Sequence, residues 1–241
     1  MAFFQETKPA REPFLRVPAA VTALIAALVL AHIARVFAPG VWPQRILEEY
    51  SFNPALYSPA FVAAHHAGAI SLFDRVVPFF SYMFLHADTT HIGVNSVWLL
   101  AFGPIVAQRL GAVRFILFFL VSGVGGALGY LAFHWGLNEA VIGASGAISG
   151  LMGASIRIMR FREPYLNGAA MPLLPVFSQQ VLSFSAIWLA INAATGIFGF
   201  GAGPGIHAIA WEDHMGGYLA GLLLIGLFDR RPLEAGRGAH T

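Results

Sequence analysis

The 241-residue chain contains no cysteine. That removes disulfides, thiolate nucleophiles and thiolate metal sites together. Charge is almost as scarce: Asp, Glu, Lys and Arg make up 11% of the residues, against 57% hydrophobic. Soluble domains carry roughly 25% charged residues. With a mean hydropathy of +0.69, the composition implies a polytopic membrane protein. A formal net charge of +2 is too small for a nucleic-acid binder. No acidic residue falls in the core of any long apolar run. This argues against paired-carboxylate chemistry and weakens a proton-coupled transporter, which needs an intramembrane carboxylate. No cleavable leader is evident, because the first sixteen residues are polar and no small-residue cleavage site follows the first apolar run.

What is there is a series of apolar runs near the spanning length of about 17–25 residues. They cover 17–37, 92–107, 113–135, 145–159, 176–198 and 214–228. The second, fourth and sixth are short or glycine-interrupted, as expected of helices that end against an aqueous cavity. The connection 38–91 carries Trp42, Pro43, Pro54, Pro59, His65 and His66, with an apolar stretch at 76–85 too short to span. It reads as an interfacial loop with amphipathic helical pieces. Basic residues cluster before span one, between spans two and three, after span four and after span six, leaving Arg35, Arg45 and Arg75 on the other side. Six spans with both termini cytoplasmic satisfy that bias. The expected organisation is an all-α membrane domain over 17–229, flanked by cytoplasmic tails at 1–16 and 230–241.

Topology allows a depth estimate. Ser145 lies twelve positions before Arg157, roughly 18 Å along a helix rising ~1.5 Å per residue. His214, fifteen positions before Asp229, lies at about 22 Å, and Asn95, fourteen before Arg109, at about 21 Å. Three polar groups from three spans thus reach one level, about 10 Å below the outer surface of a core ~30 Å thick. Polar groups at that depth are costly and should face one another or water. Ser145, Ser149 and Gly153 share one face of span four, and His214, Gly217 and Gly221 one face of span six. Small residues let membrane helices approach closely, so packing through these stripes would carry the histidine to the serine.

Gly143-Ala144-Ser145-Gly146 taken alone is more often a packing motif, but a mid-membrane histidine is a functional hypothesis by default. A serine and a histidine at one depth are the parts of a nucleophile–base pair. His86-x4-His91-x3-Asn95 lacks the carboxylate of a zinc-hydrolase motif and reads as a donor cluster; no metal or cofactor is expected. Asp213 cannot share a helix face with its neighbour His214, so it reads as a cap or charge partner for span six. His32 reads as a helix-end residue, and His65, His66, His134 and His207 as loop or interfacial residues. Bulky Phe184, Trp188 and Phe198 mark span five as a gate.

Phe84-Leu85-His86, His91-x-x-x-Asn95, Phe102-Gly103, Gly143-Ala144-Ser145-Gly146 and His214-x-Gly216-Gly217-x-x-x-Gly221 together resemble the rhomboid family of intramembrane serine proteases. The resemblance runs from the first loop to the sixth span and fits the minimal six-span bacterial form, in a cell inner membrane. It implies Ser145 as nucleophile, His214 as general base, and an oxyanion hole of the Ser145 N–H with the side chains of His91 and Asn95. His86 matches a supporting loop histidine, and Gly143, Gly146, Gly216, Gly217 and Gly221 become helix-packing positions. The implied substrates are transmembrane segments of other proteins in the bilayer. The alternative is a silent rhomboid-like protein that binds transmembrane helices. The chain departs from the family pattern at Ser149, where many members carry an aromatic residue that packs on the imidazole, and in its first loop, where Trp42 and Arg45 are not adjacent.

Overall fold

The computed structural model describes residues 17–65, 70–160, 171–198 and 210–229. His66, His207 and both expected tails lie outside the described residues, as does the side chain of Phe198. The described chain is mostly α-helical: α1 (Ala19–Val36), α2 (Trp42–Tyr50), α3 (Pro59–His65), α4 (Leu72–Val76), α5 (Pro78–Ser81), α6 (Thr89–Leu110), α7 (Ala112–His134), α8 (Ser145–Ile158), α9 (Gln179–Phe198) and α10 (Trp211–Phe228). Four of these, α1, α6, α7 and α9, are long and apolar enough to cross a membrane by length and composition.

The outer faces of the long helices are apolar, with Leu30, Val97, Val113 and Ile187 all exposed. Apolar side chains facing outward on several sides suit hydrocarbon rather than water. The interior is built on α8. Residues Gly146 to Leu151 are buried without a break, so this helix is enclosed on all sides. Glycine sets how closely its neighbours come. A Cβ on Gly217 would overlap the Gly146 carbonyl, one on Gly221 would overlap the Gly150 carbonyl, and one on Gly153 would meet the Tyr218 carbonyl. The helices α8 and α10 therefore run parallel in backbone contact, advancing four residues together from 146/217 to 150/221. The small face of α8 is Gly146–Gly150–Gly153, one position on from the Ser145–Ser149–Gly153 stripe expected from spacing. Gly216 turns the other way, onto Gly125 and Gly129 of α7.

The first loop is not only interfacial. Its helical pieces exist, but Tyr82, Met83, Leu85 and His86 plunge into the bundle and are buried. Phe52 pairs with Val141 in an isolated antiparallel bridge, its ring lying 4.7 Å from that of Phe79 and 6.1 Å from that of Tyr82. Arg35, at the end of α1, donates to the carbonyls of His86 and Ala87 at 2.8 and 3.2 Å. Trp42 and Arg45, separated in sequence, are one turn apart on α2, and the guanidinium sits 5.9 Å over the indole. At the opposite end of α6, Arg109 forms a bidentate pair with Asp229 at 3.0 and 2.5 Å. Arg157 donates to the carbonyls of Leu174 and Leu222.

If the glycine contacts set the α8–α10 spacing, Gly221→Ala costs about 1–3 kcal/mol, the range for an overpacked core position. Gly226→Ala, whose added Cβ meets nothing within 4 Å, leaves the unfolding midpoint in detergent micelles unchanged or raised. Equal midpoints for the two variants would remove the constraint.

Candidate active site

Ser145 is the first residue of α8, and the chain reaches it through a turn that only glycine adopts comfortably. Gly143 has φ of +124°, in a region closed to most L-residues. A Cβ there would stand 2.8 Å from His91 Nε2 and 3.7 Å from Asn95 Nδ2. Gly143 is therefore not a helix-packing position, as the sequence reading had it. Its missing side chain leaves room for the two donors on α6, and its N–H donates to the Tyr82 carbonyl at 2.9 Å.

The α6 residues are set by a cap. Asp88 accepts the His91 N–H at 2.9 Å and so starts the helix. The Ala87 N–H donates to His91 Nδ1 at 3.4 Å, which leaves the ring proton on Nε2, the nitrogen facing Gly143. One turn later, Asn95 is buried, and its Nδ2 has no hydrogen-bond partner. His86 stacks edge-on to His91, with ring centroids 5.0 Å apart. It is fully buried, with neither ring nitrogen paired. His32 lies behind it at 6.5 Å, on the inner face of α1 and well inside the helix. Among the described residues no cluster of histidine and carboxylate side chains has the geometry to hold a metal ion.

His214 is in the first turn of α10, one turn before Gly217. Since Gly217 meets Gly146, Ser145 and His214 occupy the same end of one close interface. No hydrogen bond joins them among the described contacts; His214 Nδ1 instead pairs with Asn192 Oδ1 of α9 at 3.0 Å. Asn192 has no place in the sequence reading, although a lone amide in an apolar span was a signal of the same kind as Asn95.

Asp213 lies in the first turn of α10, as the charge-partner reading expects. It is not a cap: the N-cap position of α10 is Ala210, with no side-chain cap. It is a fully buried carboxyl beside the candidate site. Its slot is cut from glycine, for a Cβ on Gly126 or Gly146 would collide with its oxygens. Tyr82 Oη lies 2.8 Å from both Asp213 Oδ1 and the Gly123 carbonyl, and Gly146 packs against the carboxyl. Asp213 thus ties the first loop, α7 and the start of α8 to α10. On α9, Trp188 turns inward and stacks on Tyr218 at 4.2 Å, with Phe184 partly buried beside it.

Residues 74–231 match the family model described as Rhomboid domain. The chain belongs to the rhomboid family. It is 30% identical over 78% of its length to RHOMBOID-like protein 1 of Arabidopsis thaliana, covering 46% of that relative. With RHOMBOID-like protein 2 of the same plant it shares 31% identity over 82% of its length and 59% of the relative. Rhomboid-like protease 3 of Toxoplasma gondii is 25% identical over 75% of the chain and 62% of its own length. The chain spans about half the length of the curated relatives it matches. Every residue of the candidate site falls within the rhomboid match.

The Asp88 cap of this rhomboid domain carries a pH signature. The His91 N–H, its strongest contact, holds the Asp88 carboxyl below the usual aspartate range. A folded-state pKa below the unfolded value gives stability that is present above the ordinary range and lost as pH falls through the lowered one. Hydrogen-exchange protection of the His91 amide is expected to fall with acidification in that window. In Asp88→Asn, a cap that does not titrate, protection stays flat; a parallel decline in the two proteins would rule out Asp88 as the source.

Proposed function

We propose that this rhomboid protein is an intramembrane serine endopeptidase that cleaves transmembrane segments, with Ser145 as nucleophile and His214 as general base. The observation that carries the reading is the buried, unpartnered Asn95 Nδ2 beside the Gly143 turn. Burying a donor without a partner costs about 1–3 kcal/mol. Such a group next to a serine suits a donor fixed in advance for charge that appears only during reaction. The His91 Nε2–H faces the same turn, and the Ser145 N–H completes the proposed oxyanion hole. His86 backs His91.

The six-span topology belongs to this proposal. With fourteen residues, α8 is about 21 Å long, short of a ~30 Å hydrocarbon core. With its Ile158 end at the cytoplasmic face, Ser145 lies below the outer surface with room for water above it. Arg109 and Arg157 gather at the Asp229 end of the bundle, in keeping with a cytoplasmic face there and a bacterial inner membrane as the setting. A substrate helix entering from the bilayer must unwind before its carbonyl can be attacked, because helical carbonyls are already hydrogen-bonded. His214 takes the Ser145 proton as Oγ bonds to the scissile carbon. The same proton passes to the leaving amine as the C–N bond breaks, and water then hydrolyses the ester with the roles reversed.

Purified protein should cleave a single-span model substrate and react with a fluorophosphonate probe, and Ser145→Ala and His214→Ala should abolish both. Asn95→Ala should lower kcat by roughly 10²–10³, the loss typical of one oxyanion donor. Cleavage that survives Ser145→Ala would overturn the mechanism. Binding of transmembrane helices without probe labelling would instead identify a silent binder.

A further inference from the structure

We propose that Asn192 is a positioning residue for the His214 imidazole, holding it as the Nδ1–H tautomer so that Nε2 keeps the lone pair needed to take the Ser145 proton. The inference rests on the serine–histidine reading above and adds a third member to it. The hydrogen-bond pattern of Asn192 leaves one arrangement. Its Nδ2 donates to the Trp188 carbonyl one turn back in α9 at 3.1 Å. Reversing the amide would set two acceptor oxygens against each other, so Oδ1 is the atom that faces His214. An oxygen there can only accept, which requires the proton on Nδ1. In the uncharged ring the free lone pair then lies on Nε2.

Packing holds that geometry in register. Residues 188, 192 and 196 follow one another by single turns along one face of α9 and meet α10 in antiparallel order. Trp188 stacks on Tyr218, Asn192 meets His214, and Gly196 leaves space for the Trp211 indole, which a Cβ would strike. Ser185 adds a 2.8 Å hydrogen bond to the Tyr218 hydroxyl. The anchor is needed because α9 is the least enclosed of the long helices, with 6% of its apolar window buried. Asp213, the nearest carboxyl in sequence, is engaged by Tyr82 and packed against Gly146 on another side of α10. An amide in place of a carboxylate orients the ring without placing a second charge in the apolar layer.

Imidazole 15N NMR of the Ser145→Ala protein in micelles reads the tautomer without any need for activity. His214 is expected as a single Nδ1–H form, turning into a mixed or Nε2–H form in the Asn192→Leu background. In the otherwise wild-type enzyme, Asn192→Leu should slow fluorophosphonate labelling and lower kcat about tenfold, the kinetic equivalent of one neutral hydrogen bond, with KM unchanged. Asn192→Asp keeps an acceptor oxygen and should restore most of the labelling rate. Ser185→Ala loosens the α9 anchor without touching the amide, and should slow labelling far less than Asn192→Leu. An unchanged tautomer in Asn192→Leu, wild-type labelling by that variant, or an equal loss in Ser185→Ala would overturn the proposal. If wild-type protein neither labels nor cleaves, the serine–histidine reading falls, while the NMR measurement still decides whether Asn192 sets the ring.

Discussion

The contact of glycine Cα with carbonyl oxygen between α8 and α10 is the constraint on which the rest of this structure depends. Gly217 on Gly146 and Gly221 on Gly150 bring two helix backbones into direct touch, a separation that any side chain would prevent. Within hydrocarbon the hydrophobic effect gives little drive for helices to associate, so close dispersion contacts carry that burden. Because the two helices run parallel and in step, what stands at the start of one is held level with the start of the other. The position of Ser145 relative to His214 is a consequence of that register, and neither residue needs to hold the other.

A second layer of order comes from the first loop, which acts as part of the core. Tyr82 reaches past α7 to the Asp213 carboxyl, while Arg35 gathers the His86 and Ala87 carbonyls at the other end of the same segment. The Gly143 contact is made at the first anchor, on the Tyr82 carbonyl, and the Asp88 cap that starts α6 follows directly on the second. The donors on α6 and the turn before Ser145 are thereby fixed to one another through backbone groups. Electrostatic stabilisation of a developing charge depends on such prior fixing, since donors that must reorganise lose most of their advantage.

Against this rigid centre, α9 is attached by few but specific contacts. Its aromatic residue Trp188, expected to mark a gate, is an anchor, and the polar residue between its two packing points meets the imidazole. The structure departs from the aromatic support implied by the family pattern, since Ser149 offers no ring. The described contact on the His214 ring comes instead from a helix that the sequence reading connected only with substrate entry.

The apolar runs, the scarcity of charge and the order of the motifs are properties of the chain itself, and they were enough to indicate an all-α membrane protein of the rhomboid family. Helical periodicity and the 1.5 Å rise likewise allowed Ser145, His214 and Asn95 to be set at one depth, because those quantities are local. Facing was not local. Whether Gly146 or Ser145 lies on the packed stripe differs by about 100° of helix rotation, which the neighbouring helices decide. The role of Gly143 depends on the space left for His91. The burial of Asp213 depends on Gly126 and Gly146, far apart in sequence. The pairing of Asn192 with His214 requires the antiparallel register of α9 on α10. Each of these joins residues between 22 and 131 positions apart or turns on a shared cavity, and only tertiary packing brings such groups together.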